Sequence, residues 1–205
     1  TLLVSSAASD VYKRQEGNLG TCIIKISAVP MEMQMVEAPA RVFESQEEVK
    51  TAFRNNELNT DAIIVVRFQG PKANGMPELH GLTPILAVLQ DRGLKVALIT
   101  DGRMSGASGK VPAAIHLSPE AANLGPISKI KNGDLIRLDA RSGELNILDE
   151  NFEIRESRKK DLSENERGLG RELFNIFREN ATAAKFGGGI TSVSYTHLRA
   201  HETNQ

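Results

Sequence analysis

Cysteine, excess charge and long apolar runs are all scarce in this sequence. The single cysteine, Cys22, excludes an internal disulfide, and one thiolate cannot by itself hold a zinc ion or an iron–sulfur cluster. The 25 Lys and Arg residues nearly balance the 26 Asp and Glu residues, so the net charge of -1 gives no support for general binding to nucleic acid or to membrane surfaces. No apolar run approaches the roughly 20 residues of a membrane span. These absences favour a globular protein in a reducing, cytoplasmic setting.

The 205 residues, of which 40% are hydrophobic, suffice for one domain that buries roughly 70% of its unfolded surface. Residues 1–15 lack the leading cations and the cleavage pattern of a signal peptide. They differ in character from the central part of the chain, as do residues 192–205 at the other end. We expect both segments to be non-native or disordered tails and residues 16–191 to form the domain.

The stretch around which the chain is organised combines a short apolar run, 96–100, with the glycine-rich segment 101–110. The run is rich in branched residues and bounded by turn signals, which predicts a buried strand. Pro112 suits the first turn of a following helix, so free backbone N–H groups would converge on one place that suits an anion. The segment matches neither nucleotide-binding glycine motif, because Met104 occupies a required glycine position in each. A loop that only turns strand into helix is equally consistent.

A second unit of the same kind lies upstream. Residues 62–68 predict a strand, residues 69–78 an irregular loop, and Thr83-Pro84 the start of a helix. The helical spacing of Leu82, Ile85, Leu86 and Leu89 marks its buried face. Loops that follow parallel strands gather at one edge of a sheet, where ligands bind, so neighbouring strands would bring Glu78 close to Ser105. The alternative is that Glu78 is an ordinary solvated carboxylate.

Local patterns predict three further elements. Residues 22–29 predict a strand, and Ser45 with Glu48 forms a capping-box pattern for a helix to about Arg54. Residues 169–180 predict a last amphipathic helix. Its expected buried face comprises Leu169, Leu173, Ile176 and Phe177.

The segment 127–148 alternates apolar and polar residues. Candidate strands at 127–130, 135–138 and 145–148 are separated by turn sequences at 131–134 and 140–143. Such an antiparallel meander is more typical of a barrel wall than of a parallel sheet. The whole pattern predicts one α/β domain, a mixed β-barrel-like sheet of the swivelling β/α type with flanking helices.

Several long motifs, in order, resemble one enzyme family. The stretches 66–80, 100–110, 17–20, 37–43 and 115–121 resemble the C-terminal domain of the dihydroxy-acid dehydratase / phosphogluconate dehydratase family. The family removes water from a 2,3-dihydroxy acid and leaves a 2-keto-3-deoxy acid. The resemblance therefore implies a hydro-lyase, and the loop at 100–110 is more similar to the phosphogluconate branch.

The resemblance also implies cofactors and partners. The family uses an iron–sulfur cluster of the 4Fe-4S type, whose open iron polarises the C3 hydroxyl, and Mg²⁺ or Mn²⁺, which holds the substrate carboxylate and C2 oxygen. Its cluster cysteines lie in an N-terminal domain outside this sequence, and Cys22 matches none of them. We expect this fragment alone to bind no cluster and to be inactive. The implied partners are a sugar-acid phosphate, that N-terminal domain and, since the family forms dimers, a second copy.

Residue roles carry over by position. Glu78 resembles the metal-binding carboxylate, and Ser105 resembles the serine proposed, as an alkoxide, to take the C2 proton. Ser108 and Gly106 match positions beside the substrate. Lys110 fits the phosphogluconate branch, and our hypothesis is that it holds the substrate phosphate together with the loop amides.

Other interpretations stay open. Without the resemblance, Ser105 would be interpreted as a turn or cap residue. His116 suits a hydrogen-bonded structural role as well as a catalytic one. Lys72 and Arg103 either reach the substrate or pair with carboxylates. The alternative functions are a dihydroxy-acid or sugar-acid dehydratase of the same family, and a non-catalytic anion-binding barrel domain.

Overall fold

The computed structural model describes residues 12–25, 28–104, 110–168 and 170–190. The strands are β1 (Tyr12–Gly17), β2 (Gly20–Lys25), β3 (Met35–Phe43), β4 (Ala62–Val66), β5 (Val96–Thr100), β6 (Ala113–Ser118), β7 (Leu135–Asp139) and β8 (Glu144–Ile147). They close into a mixed barrel in the order β1-β2-β6-β5-β4-β3-β7-β8. The predicted α/β domain with a barrel-like sheet is confirmed.

Helices flank this barrel. The α-helices within the described ranges are α1 (Gln46–Arg54), α2 (Pro71–Asn74), α3 (Leu82–Asp91) and α4 (Asn175–Asn180). Short 3-10 helices occupy Met31–Met33, Ala121–Asn123, Pro126–Lys129, Ser163–Asn165, Arg171–Phe174 and Ala184–Phe186. None of the helices in these ranges is long and apolar enough to cross a membrane.

Strands β3, β4, β5 and β6 run parallel to one another, and the two central strands, β4 and β5, are the best-buried part of the wall. Every residue of β4 and β5 is buried, which explains their continuous apolar sequences. Ile63 and Ile99 point into the barrel, whereas Ile64 and Leu98 pack outward beneath α1 and α3. The predicted strand at 96–100 is confirmed, and the strand predicted at 62–68 is confirmed over Ala62–Val66.

Helix α1 begins with the predicted capping box. The Ser45 Oγ accepts a hydrogen bond from the backbone N–H of Glu48 at 3.2 Å. The Glu48 carboxylate in turn accepts from the N–H of Glu44 at 2.8 Å, one residue earlier than the usual partner. The helix ends at Arg54, as predicted, and buries Val49 against the sheet.

The antiparallel part of the barrel includes two hairpins. Strand β1 pairs with β2, and β7 pairs with β8. Because β1 begins at Tyr12, opposite Lys25, the barrel starts earlier than the predicted boundary at residue 16. The remaining tail predictions, for 1–11 and for the segment from 192, fall outside the described residues.

The helix predicted after Pro112 and the strand predicted at 127–130 are not formed. The chain after Val111-Pro112 does not start a helix but enters β6, which runs parallel to β5. The Pro112 carbonyl accepts a hydrogen bond from the N–H of Leu98 at 3.0 Å, so the proline serves as the lead-in to a strand. Residues 127–130 fall mainly in the 3-10 helix Pro126–Lys129 rather than in a strand, and Ile127 is buried there.

The predicted loop 69–78 contains one regular turn. Pro71 occupies the first turn of α2, and Gly75 ends the helix in the left-handed conformation with φ of 69°. Proline and glycine here begin and end a single helical turn instead of preventing one.

The predicted helix at 169–180 is shorter and less buried than expected. Arg171–Phe174 forms a 3-10 turn that continues into α4, and Leu169 lies outside the described residues. Leu173 is 75% exposed and Ile176 is 64% exposed, so the expected burial of this face was wrong. The pattern does predict an amphipathic segment, but the described part of the chain supplies no surface that covers it.

These burial differences predict contrasting stabilities. Leu98→Ala deletes a fully buried side chain of β5 and should lower the free energy of unfolding by about 2–5 kcal/mol. Leu173→Ala should change it by less than about 0.5 kcal/mol. Urea denaturation of both variants checks this. A large loss in Leu173→Ala would show that the terminal segment is buried in this chain.

Candidate functional site

The loops that follow β4 and β5 meet at one edge of the barrel. The two strands are parallel neighbours, as the prediction for Glu78 required. Beyond them, Glu78 and Arg103 form an isolated parallel bridge, and the N–H of Leu79 donates to the Arg103 carbonyl at 3.1 Å. Backbone pairing therefore joins the two loops at this edge.

The Glu78 carboxylate has one paired and one unpaired oxygen. Its Oε2 lies 3.4 Å from Nη1 of Arg103, and Nε of Arg103 donates to the Met76 carbonyl at 2.8 Å. Its Oε1 is buried and lacks a hydrogen-bond partner in the described structure. Buried carboxylate oxygens are normally satisfied, so this atom is positioned to accept a ligand. Of the two roles left open for Arg103, the structure supports pairing with a carboxylate.

Ser105, Gly106 and Ser108 lie outside the described residues. The described chain stops at Met104, directly after the bridge between Glu78 and Arg103, and resumes at Lys110. The proximity of Ser105 to Glu78, and the roles of these loop residues, stay predictions.

The prediction of an anion site at a helix N-terminus was wrong about the helix. Residue 110 leads into β6 and not into a helix, so no helix dipole acts on this loop from that side. Lys110 itself is exposed. Its charge therefore stands without the helix that the sequence pattern predicted beside it.

Asp101, whose role the sequence did not reveal, anchors this edge. Its Oδ1 accepts from the N–H of Gln69 at 2.9 Å, and its Oδ2 accepts from the N–H groups of Phe68 at 3.2 Å and Ala121 at 2.9 Å. One buried carboxylate thus connects the ends of three segments. The signal that would have found it is an acidic residue directly after a fully apolar strand.

Glu120 makes a similar connection to α2. Its carboxylate accepts from the N–H groups of Lys72 at 3.1 Å and Ala73 at 3.3 Å. Gly70 leaves room for it, because a Cβ there would lie 2.0 Å from Glu120 Oε2. Gly70 and Glu120 are both buried, and their packing holds the loop that carries Glu78.

His116 lies on the same strand edge with φ of 59°, and its N–H donates to the Gly102 carbonyl at 2.9 Å. Burial, and secondarily the charge of Arg103, lowers the pKa of its imidazole, so the ring is neutral at pH 7. The backbone contact does not depend on the imidazole, so the choice between a structural and a catalytic role for the His116 side chain stays a prediction.

Comparison with known proteins identifies the family. Residues 9–188 match the family model described as the C-terminal domain of dihydroxy-acid/6-phosphogluconate dehydratases. The chain belongs to the dihydroxy-acid/6-phosphogluconate dehydratase family. The resemblance deduced from the loop motifs is thereby confirmed.

The sequence is more similar to curated phosphogluconate dehydratases than to a curated dihydroxy-acid dehydratase. The chain is 56% identical to a phosphogluconate dehydratase of Rhizobium meliloti (strain 1021) over 180 residues, which is 87% of this chain and 30% of the relative. It is 54% identical to that of Escherichia coli (strain K12) over 173 residues, 83% of this chain and 29% of the relative. A dihydroxy-acid dehydratase of Methanosphaera stadtmanae is 37% identical over 169 residues, 81% of this chain and 30% of the relative. The chain thus spans about 30% of the length of these relatives.

The residues present fit one of the family's implied cofactors and not the other. Glu78, with its unpaired Oε1, suits a hard divalent cation, although the described residues contain no group of three ligands that would complete a site. Cys22 is 2% exposed, and burial raises the pKa of its thiol to about 12. A buried, protonated thiol does not fit an iron–sulfur cluster.

The Asp101 connection predicts a stability effect in this dehydratase domain. Asp101→Ala leaves three buried N–H groups without their acceptor and should lower the free energy of unfolding by about 3 kcal/mol or more. Asp91→Ala, at the exposed end of α3, is the matched control and should change it by less than about 0.5 kcal/mol. Equal urea midpoints for both variants would contradict the anchoring role.

Asp101 should also titrate far from its usual range. Burial raises its pKa to about 6, opposed by the N–H groups of Ala121, Gln69 and Phe68 and assisted by the charge of Glu120. The unfolded pKa is about 3.9, so the folded state binds the extra proton between about pH 4 and 6. The contribution of Asp101 to the free energy of unfolding should therefore rise as pH falls through this window. Carboxyl NMR checks it, and a midpoint near 4 would contradict it.

Proposed function

We propose that the chain is the C-terminal part of a hydro-lyase that converts 6-phosphogluconate into 2-keto-3-deoxy-6-phosphogluconate, the dehydration step of the Entner–Doudoroff pathway. The observation that carries this proposal is the difference in identity between relatives: 54–56% to phosphogluconate dehydratases against 37% to a dihydroxy-acid dehydratase. The convergence of the Glu78 and Arg103 loops supports it. Dehydration of branched-chain dihydroxy acids is the less favoured alternative.

Glu78 is the metal ligand in this proposal. The reaction requires loss of a weakly acidic proton from C2 and of hydroxide from C3. A Mg²⁺ or Mn²⁺ ion, when bound, would supply positive charge for the substrate carboxylate and the C2 oxygen. Glu78 offers a carboxylate oxygen that has no competing hydrogen bond, while Arg103 holds the other oxygen and so fixes the orientation of the group.

Ser105 is the proposed base for the C2 proton. A serine hydroxyl is a poor base at neutral pH and requires a positive field. Because no helix N-terminus is available at residue 110, that field has to come from charged groups at the same edge. Gly106 and Ser108 would lie next to Ser105 and contact the substrate.

The rest of the enzyme supplies what this chain lacks. Cys22 does not fit an iron–sulfur cluster, so ligands for a cluster would come from the remaining 70% or so of the relatives' length. The exposed side chains of Leu173, Ile176 and Phe186 support a contact with that part of the protein or with a second copy in a dimer. The single cysteine fits a cytoplasmic location, and the fragment alone would be inactive.

The role of Glu78 is testable in the full-length protein. Glu78→Gln keeps the size of the side chain but removes its charge, and should lower turnover of 6-phosphogluconate at least about 100-fold. Raising the Mg²⁺ concentration should restore part of the loss if the ion is bound more weakly. Formation of the 2-keto acid is the readout, with circular dichroism to verify folding.

Glu47→Gln on the outer face of α1 is the control and should retain full turnover. If Glu78→Gln and Ser105→Ala both retained wild-type turnover, the domain would be a non-catalytic anion-binding barrel and the proposed roles would be wrong.

A further inference from the structure

A cavity of about 670 Å³ opens beside the edge that carries Glu78. One wall is the loop 71–77, and the other is the C-terminal segment that includes α4. Arg103, Arg171 and Arg178 line it together with aromatic side chains, and no Asp or Glu is among the described residues that line it. Its size falls within the range of small-molecule sites. The described lining is therefore cationic and lacks acidic groups that would repel an anion.

The two arginines of the C-terminal segment donate hydrogen bonds to neutral acceptors in the described part of the chain. Nη1 of Arg171 lies 3.3 Å from Oδ1 of Asn165 and 3.5 Å from Oδ1 of Asn74. Nη2 of Arg178 donates to the Arg171 carbonyl at 3.2 Å and to Oδ1 of Asn175. These contacts orient both guanidinium groups, and neither forms an ion pair among the described residues. The Glu172 carboxylate, whose pKa is lowered first by its hydrogen bond from the N–H of Gly168, also lies within electrostatic range of Arg178.

The third arginine belongs to the proposed catalytic edge. Arg103 is held by Glu78 and by the Met76 carbonyl, and both Arg103 and Met76 line the cavity. The opposite wall approaches the loop at Gly188, where an added Cβ would be in ordinary van der Waals contact with Pro71, at 3.4 Å, and with the Met76 sulfur, at 3.6 Å. The cavity thus extends from the Glu78 edge to Arg171 and Arg178.

We propose that Arg171 and Arg178 form the subsite for the phosphate group of a phosphorylated sugar acid whose carboxylate end lies at the Glu78 edge. This inference rests on the proposed function. Guanidinium groups bind phosphate oxygens through paired, charge-assisted hydrogen bonds, and Arg is preferred over Lys where planar recognition of phosphate matters. The assignment differs from the sequence-based hypothesis that Lys110 and the loop amides hold the phosphate.

The test measures binding of the phosphate separately from binding of the acid. In the full-length protein, Arg171→Ala and Arg178→Ala should each raise the KM for 6-phosphogluconate roughly 10- to 100-fold, with kcat little changed. The inhibition constant of gluconate, which lacks the phosphate, should stay within about twofold of wild type. Arg178→Lys should restore part of the loss, and Arg167→Ala, an exposed arginine outside the cavity lining, should change neither constant.

Several outcomes would overturn the subsite. Equal weakening of 6-phosphogluconate and gluconate in the arginine variants would indicate a structural role, and a selective effect of Lys110→Ala alone would assign the phosphate to the loop. Circular dichroism and the lysine variant guard against misfolding.

Calorimetric titration with inorganic phosphate separates this inference from the proposed function. If the wild-type protein failed to dehydrate 6-phosphogluconate, the proposed function would be wrong. Phosphate binding would still test the subsite independently. Binding by wild type that is lost in both arginine variants supports the subsite. Unchanged binding in the variants, or none in wild type, contradicts it.

Discussion

The Asp101 carboxylate is the point at which three segments of the chain meet. The N–H groups of Phe68, Gln69 and Ala121 are buried and need acceptors, and a single carboxylate satisfies all of them. Burial of a charge is costly, as the raised pKa of Asp101 shows, but three N–H dipoles offset much of that cost. Because the acceptor belongs to the end of β5, the loops after β4 and β6 are fixed relative to the loop that continues toward Ser105.

Hydrogen bonds at this edge stabilise two residues whose backbone conformation is otherwise unfavourable. Phe68 and His116 have φ of 61° and 59°, values that side chains other than glycine rarely adopt. The N–H of Phe68 is bound to Asp101 and that of His116 to the Gly102 carbonyl, so hydrogen bonds hold both strained residues. Strain held in this way turns the chain sharply at the strand ends and directs the loop bearing Glu78 across the edge of the barrel.

Sequence patterns predicted those parts of the fold that depend on local chemistry. The apolar runs of β4 and β5 and the Ser45 capping box are local signals, and both were correct. Pro112 misled because a proline suits the first turn of a helix and the lead-in to a strand equally well; only the pairing with Leu98 decides between them. The exposed face of Leu173 was misjudged because periodicity reveals an apolar face but not the surface that covers it. The sequence did not predict that Arg171 and Arg178 lie near the Glu78 edge, because only tertiary packing brings them there.

The distribution of charge around the edge connects these features. Asp101 and Glu120 are turned inward and accept hydrogen bonds from backbone N–H groups, and neither lines the cavity outside. Arginines supply the charged side chains that line that cavity, and Oε1 of Glu78 is the one buried carboxylate oxygen without a hydrogen-bond partner among the described residues. The carboxylate end of a ligand placed beside Glu78 would be repelled by it, whereas a divalent cation on Glu78 would reverse the local charge. The edge therefore favours an acid bound together with a metal ion over either one bound separately.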